Sequence, residues 1–477
     1  MSDNHRFVWL SATAAFVIIG CTWAFAIARY GGPDEPAHVI RAAAVAHGDL
    51  VGQPVNGLEP GYRQVTVPAA LASGDPACYR HSETTTADCA VAATGSGMSR
   101  VATSAGASPP WYYAIVGLIA RLLSDGRSVL AYRMAAVLLC AALLGLAVAR
   151  SWRYGGSPWL VAALTPSAWF LIGVVGTSGI ELALVLLALV EAVGRFHYGR
   201  GVSLGRVTVP LAVCLLLRPA AFIDIALVAL VLMPTLPRPF TRRSLAWLVG
   251  PFAVVGVASL AWNHWTRLVF RDRRTSDSNT WVTTLDRSLH GIPKMAHQAI
   301  GALGWNEFFA PNVAQIFWVA TLAVAVWWVV TRTSDRWWYV RWIAAALLLP
   351  TAIDVFVHRQ IGAIWQGRYS IMFAMGGVAY AARAGVPTRS IGRGIVIAGA
   401  CAEVLTLWQT LRRYMVGLDG SFTLQHASWR PPLNPWLLIA INAAAIAWLG
   451  VVALSSGDDV AEHVDEVVGR SGVVEDR

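Results

Sequence analysis

Apolar runs about twenty residues long recur through most of this chain, separated by short basic connections and by three long polar ones. A bilayer core about 30 Å thick is crossed by about 20 apolar helical residues, so these runs read as membrane spans. They lie near 7–29, 128–149, 157–176, 178–194, 205–217, 220–235, 244–266, 312–331, 338–357, 369–386, 391–410 and 435–455. The pattern predicts an all-α integral membrane protein with about 12 transmembrane helices, within a range of 11–13. Segment 111–123 is too short to cross and is interrupted by Arg121, which makes it a juxtamembrane helix at the interface. The first span ends in Arg29, Tyr30 and a Gly-Gly-Pro stop instead of a small-residue cleavage site, and is expected to be a retained anchor.

Arginines collect in alternate short connections: Arg150 and Arg153; Arg195, Arg200 and Arg206; Arg238, Arg242 and Arg243; Arg332 and Arg336; Arg383, Arg389 and Arg393. The positive-inside rule then places both termini in the cytoplasm of a multi-pass protein of the bacterial cytoplasmic membrane. The long segments 30–127, 267–311 and 411–434 fall outside, with a shorter one at 358–368. Residues 1–456 form the membrane domain, and 457–477, with seven acids against two arginines, reads as a disordered cytoplasmic tail.

Composition narrows the class. Hydrophobic residues make up 56% and charged residues 13%, mean hydropathy is +0.53, and the chain cannot be a soluble fold. The net charge of +10 comes from residues flanking spans, without a basic-aromatic recognition module, so lipid electrostatics accounts for it and nucleic acid does not. Cys21, Cys140, Cys214 and Cys401 lie in spans as small buried hydrophobes. Cys78 and Cys89 share the first outer loop, where a disulfide is expected over a metal site, since no His/Cys spacing completes four ligands. Walker, GxGxxG, HExxH and GxSxG motifs are missing, as are internal repeats and a matching pair of broken helices.

Against this background the run Tyr30-Gly-Gly-Pro-Asp-Glu-Pro-Ala-His38 stands out, with two acids at the mouth of the first span and His38 and Arg41 on the following turns. Asp34 suits a helix N-cap, yet capping employs one acid and leaves the rest of the group unexplained. Cations also gather in the outer loops: Arg267, Arg271, Arg273, Arg274, Lys294, Arg359, Arg368, Arg412 and Arg413. They are either exposed loop arginines or ligands for an anion, since a guanidinium fork matches phosphate. Arg368, between aromatics and beside Gly367, is either a snorkelling interfacial residue or such a ligand. Arg218 and Asp224 read as an intramembrane ion pair, and Asp354 as a partner of His358.

Pro33-Asp-Glu-Pro-Ala-His38, Ser108-Pro-Pro-Trp-Tyr-Tyr113, Gly304-Trp-Asn-Glu307 with Pro311, Gln366-Gly-Arg-Tyr369 and Arg412-Arg-Tyr414 with Gly417 together resemble the DUF2142 family of bacterial membrane proteins. That family is similar to the GT-C superfamily of integral-membrane glycosyltransferases, which take sugars from polyprenyl-phosphate or polyprenyl-diphosphate carriers. The resemblance implies a GT-C-like arrangement of spans and a first outer loop carrying an acidic motif and juxtamembrane helices. The chain departs from the family at Gly176-Thr-Ser-Gly179, where Asn-Pro-Asn is usual, and at Glu307, where Asp is usual.

The chemistry so implied needs a base beside the acceptor hydroxyl and cations beside the leaving phosphate. Asp34 is the first candidate for the base; Glu35 orients the acceptor, holds Arg41 or His38, or exchanges roles with Asp34. Substrate contacts are expected from His38, Arg41, Trp111, Tyr112, Tyr113, Trp305, Glu307, Gln366, Arg368, Tyr369, Arg412 and Arg413. Trp111 to Tyr113 form a stacking wall for the donor or an interfacial anchor. The partners implied are a polyprenyl-phosphate-linked sugar, membrane lipid and a glycan or envelope acceptor. No cofactor is assigned; a divalent cation is left open, as Asp34 and Glu35 alone are too few ligands. The alternative is a lipid-linked saccharide transporter or a noncatalytic partner in envelope assembly, which charge concentrated at one face disfavours.

Overall fold

The computed structural model of the protein describes residues 3–55, 61–72, 76–90, 95–198, 203–217, 221–222, 225–226, 228–229, 241–266, 280–333, 337–357 and 365–455. Helix α1 (Asp3–Ala26) is followed by a short α2 (Glu35–Ala46), a loop with a small sheet, α3 (Trp111–Ser124) and α4 (Val129–Trp152). Then come α5 (Ser157–Ala163), α6 (Pro166–Ile172) and α7 (Thr177–Phe196). Among the described residues, eight helices are long and apolar enough to cross a membrane: α1, α4, α7, Arg242–Thr266, Asn312–Arg332, Trp337–Phe356, Arg389–Met415 and Pro435–Leu454.

Two of the expected spans are not continuous helices. The run 157–176 breaks at Leu164, which is extended; Thr165 then caps α6 by accepting from Ala168 N, with Pro166 in the first turn. The missing proline N–H and its fixed φ suit a helix start and cannot continue a preceding helix. The run 369–386 divides into a 3₁₀ turn Gly367–Ser370, a helix Ile371–Ala379 and a second 3₁₀ turn Tyr380–Ala384. These interrupted elements, which the apolar run lengths concealed, pack against each other. The 205–217 helix has 13 residues, and most of the expected 220–235 span lies outside the described residues, as do Arg218, Asp224, Arg267, Arg271, Arg273, Arg274, His358, Arg359 and the 457–477 tail.

Helix α1 is central, packing on α4 and on Pro435–Leu454. The main core runs from Val8 and Phe16 through Trp159, Trp318 and Trp328 to Leu449. A smaller core joins α2, α3 and the small sheet between them through Val39, Val65, Val67, Tyr113 and Val116. That sheet is antiparallel in the order Gln53–Pro54, Arg63–Pro68, Met98–Thr103, so the all-α expectation fails in this loop, which carries strands beside its helices. Val65 and Val67 alternate inward with Gln64 outward, the two-residue period of a half-covered strand.

The 111–124 segment is a 14-residue apolar helix, shorter than the candidate spans. Trp111, Ile115, Leu118 and Leu122 are exposed at helical spacing, while Tyr112, Tyr113, Val116, Gly117 and Ala120 are buried. A Cβ on Gly117 would run into the Ala42 carbonyl, so glycine permits the close crossing of α2 and α3. A further amphipathic helix, Trp281–Gly301, carries Arg287, His290 and Lys294.

Candidate functional site

Asp34 occupies the turn between α1 and α2 with φ of 59°, a left-handed conformation that aspartate tolerates better than most residues. Gly32 lets this turn approach the α6–α7 connection, for a Cβ there would stand 2.8 Å from the Val174 side chain. The acid is the N-cap residue of α2, yet its side chain makes no capping bond. Instead Oδ2 accepts from Arg368 Nη2 at 2.8 Å, and the carboxylate remains 49% exposed. Capping does not explain this side chain.

Asp34 and Arg368 line a cavity of about 250 Å³ with Pro33, His38, Ser108, Pro109, Tyr113, Tyr369, Leu217 and the stretch Gly176–Gly179. The His38 Nδ1 and Tyr113 hydroxyl are 2.8 Å apart, with stacked rings. Arg368 also donates to the Tyr369 hydroxyl at 3.1 Å. The first turn of the 20-residue helix α7 also lines the cavity, so the positive end of a helix borders the same hollow as the guanidinium. Thr177 and Ser178 add hydroxyl groups. This is where the chain departs from the family string at 176–179, and the sequence alone assigned those positions no role.

Other expected site residues are elsewhere. Glu35, adjacent in sequence, is fully buried and outside the cavity: Arg133 Nε and Nη2 donate to its two oxygens at 2.7 Å each. Gly32 N and Val175 N donate as well, at 3.2 and 3.1 Å. Arg133 also donates to the carbonyls of Ala24, Ile27 and Ala28, closing the end of α1. Glu35 therefore holds neither Arg41 nor His38. Its partner is Arg133, which looks in sequence like any arginine near a span end.

Arg41 is buried as well, donating to the Ser108 and Leu50 carbonyls at 2.7 and 2.8 Å. It positions the Ser108-Pro109 wall without lining the cavity. Arg412 donates to the Gly420 carbonyl at 2.8 Å, and its guanidinium lies 4.1 Å from the Phe422 ring centre. Arg413 donates to the Thr85 and Tyr79 carbonyls at 2.6 and 2.9 Å and lies 3.5 Å from Glu307. These two arginines serve the loops, and of Arg368, Arg412 and Arg413 it is Arg368 that lines the cavity. Burial raises the Glu307 carboxyl above its ordinary range, with Arg413 drawing it back. Glu307 accepts from Trp305 N, whose indole donates to the Tyr30 carbonyl at 3.0 Å.

Trp111 is half exposed, Tyr112 is buried outside the cavity, and Gln366 caps the turn that carries Arg368. Of the aromatic triplet only Tyr113 reaches the hollow. Cys78 and Cys89 form the disulfide. Of the other cysteines, Cys140 and Cys214 are buried, while Cys401 is exposed. Asp354 accepts from Ser288 Oγ and Trp365 N. Four buried acids sit in the candidate spans among the described residues, Glu181 and Glu191 on α7, Asp354 on Trp337–Phe356 and Glu403 on Arg389–Met415, so charge is not confined to one face. Among the described residues no group of three or more metal-ligating side chains gathers.

Bundle and cavity together define a polytopic membrane protein with a polar hollow between its spans and its loop layer. The chain belongs to the DUF2142 family of predicted membrane proteins, which matches residues 16–376. It is also similar to the crystal structure of ArnT from Cupriavidus metallidurans in the apo state, at 13% identity and TM-score 0.45 over 94% of this chain and 76% of that one. The same protein bound to undecaprenyl phosphate gives 14% identity and TM-score 0.46 over 95% and 78%. No curated protein matches.

Proposed function

We propose that this protein transfers a sugar from a polyprenyl-phosphate-type donor to a hydroxyl of a cell-envelope acceptor, at the extracytoplasmic face of a bacterial cytoplasmic membrane. The observation that carries this is the shared cavity of Asp34 and Arg368, an accessible carboxylate in contact with a guanidinium. The family resemblance supplies the substrate class and the residues supply the chemistry.

Asp34 takes the acceptor's proton as the acceptor oxygen bonds to the anomeric carbon. The bond from that carbon to the phosphate oxygen breaks, and its electron pair leaves with the phosphate. Charge gathers there, where Arg368 and the start of α7 stabilise it. Before the donor arrives Arg368 holds Asp34, so the phosphate competes with the carboxylate for the same guanidinium. Binding the donor releases the base. His38 and Tyr113 orient the acceptor or the sugar, and Glu35 fixes the turn that carries Asp34, through Arg133 and through the Gly32 and Val175 N–H groups.

The interrupted elements at 157–172 and 367–384 favour a second reading, a lipid-linked saccharide transporter, since broken spans accompany alternating access. One assay separates the two. Purified protein with synthetic polyprenyl-phosphate sugars and an envelope acceptor fraction is expected to yield transferred sugar, and Asp34→Asn to lower turnover about 10²–10⁴-fold while its donor binding tightens. Movement of intact donor across vesicles by both proteins, without transfer, would establish the transporter.

A further inference from the structure

We infer that Glu403 is a proton-binding site inside the membrane bundle, its carboxyl held as the neutral acid in a reciprocal pair of hydrogen bonds with the Asn442 carboxamide. The proposed transfer reaction uses none of these groups, and the inference stands independently of it.

Glu403 lies midway along the helix Arg389–Met415 and is fully buried against α1 and Pro435–Leu454. Its Oε1 accepts from Trp23 Nε1 at 2.8 Å and from Asn442 Nδ2 at 2.9 Å. Asn442 Nδ2 gives its other hydrogen to Thr22 Oγ1 at 2.8 Å, and Thr22 donates onward to the Ile19 carbonyl at 2.6 Å. Every donor in the cluster is thereby used. Two acceptors remain buried without a partner, Glu403 Oε2 and Asn442 Oδ1. Among the described residues no arginine, lysine or histidine pairs with Glu403, in contrast to Glu35 with its two-point contact to Arg133.

An isolated carboxylate in such surroundings is so costly that a buried acid takes up a proton instead. A proton on Oε2 turns two orphaned acceptors into one donor and one acceptor. The acid and the amide then share an eight-membered ring: Asn442 N–H to Glu403 Oε1, and Glu403 O–H to Asn442 Oδ1. All hydrogen-bonding capacity in the cluster is then matched, as a buried polar network requires. The ring joins two helices, and its bonds to Trp23 and Thr22 tie in α1, with Trp23 eleven residues before Asp34 on the helix whose end Arg133 closes.

Infrared difference spectroscopy of the full chain at neutral pH in an ester-free detergent, wild type against Glu403→Gln, tests this. A carboxylic-acid carbonyl band present in wild type and lost in the variant is expected. Glutamine reproduces the ring with its own amide, so E403Q is expected to keep the wild-type unfolding midpoint, while Glu403→Ala lowers it. Loss of a carboxylate band in the difference spectrum overturns the inference. So does an E403Q midpoint that falls as far as that of E403A, or an E403Q that does not fold.

Discussion

The Arg368 guanidinium donates to the Asp34 carboxylate at 2.8 Å across 334 residues of sequence, joining the turn after the first span to the turn before Ile371–Ala379. The contact makes the proposed base and the proposed phosphate ligand partners of one another until a substrate intervenes. The same Nη2 also donates to the Tyr369 hydroxyl, so two groups hold it in place. Arg368→Lys keeps the charge and loses the fork, and is expected to weaken donor binding about tenfold while leaving the fold intact. Equilibrium binding together with a thermal melt checks both halves.

Glu35 and Arg133 are expected to be residues of stability. Removing one partner of a buried, doubly bonded ion pair strands the other charge and costs about 3–5 kcal/mol. Glu35→Gln and Arg133→Gln are therefore both predicted to lower the unfolding midpoint sharply. If either variant melts like wild type and loses only turnover, Glu35 belongs to the chemistry after all.

Arg413 fixes the 76–90 loop through the Tyr79 and Thr85 carbonyls, and the Cys78–Cys89 disulfide closes that loop on itself. Arg413→Gln is predicted to speed amide exchange across residues 79–90 by at least tenfold, and reduction of the disulfide to add to the effect. Exchange mass spectrometry reads this directly. Unchanged protection in the variant would show that the loop is held by other contacts.

Within the aromatic triplet the prediction differs by position. Tyr113→Phe removes the hydroxyl bonded to His38 and is expected to reduce turnover several-fold, about 1 kcal/mol for a hydrogen bond of this kind. Trp111→Ala, on the exposed face of α3, is expected to leave turnover within twofold when assayed in detergent. Equal losses at both positions would favour a stacking wall made by the whole triplet.

Much of the membrane part was legible because hydrocarbon thickness sets run length, and run length is visible in sequence. Breaks inside apolar runs were not, since Leu164-Thr165-Pro166 alters hydrogen bonding without altering hydropathy. The pairing of Asp34 with Arg368 could be approached by listing acids and cations in the polar loops. Which of several arginines faced the acid depended on tertiary contacts: Arg412 and Arg413 turn to backbone carbonyls, and Arg133, inside α4, takes Glu35. The sheet at 53–103 was hidden for a related reason, as its strands are short and embedded in a Gly- and Ser-rich loop. Glu403 was overlooked because a single acid in an apolar run has no local signature; its meaning comes from Trp23 and Asn442, which are distant in sequence.

The central claim is that Asp34 and a donor phosphate compete for Arg368. Binding of a short-chain polyprenyl phosphate to the purified full chain, to Asp34→Asn and to Arg368→Gln tests it most directly. The account predicts tighter binding than wild type for D34N, because the guanidinium is released, and binding at least tenfold weaker for R368Q. Affinities unchanged in both variants, or weakened alike in both, would contradict it.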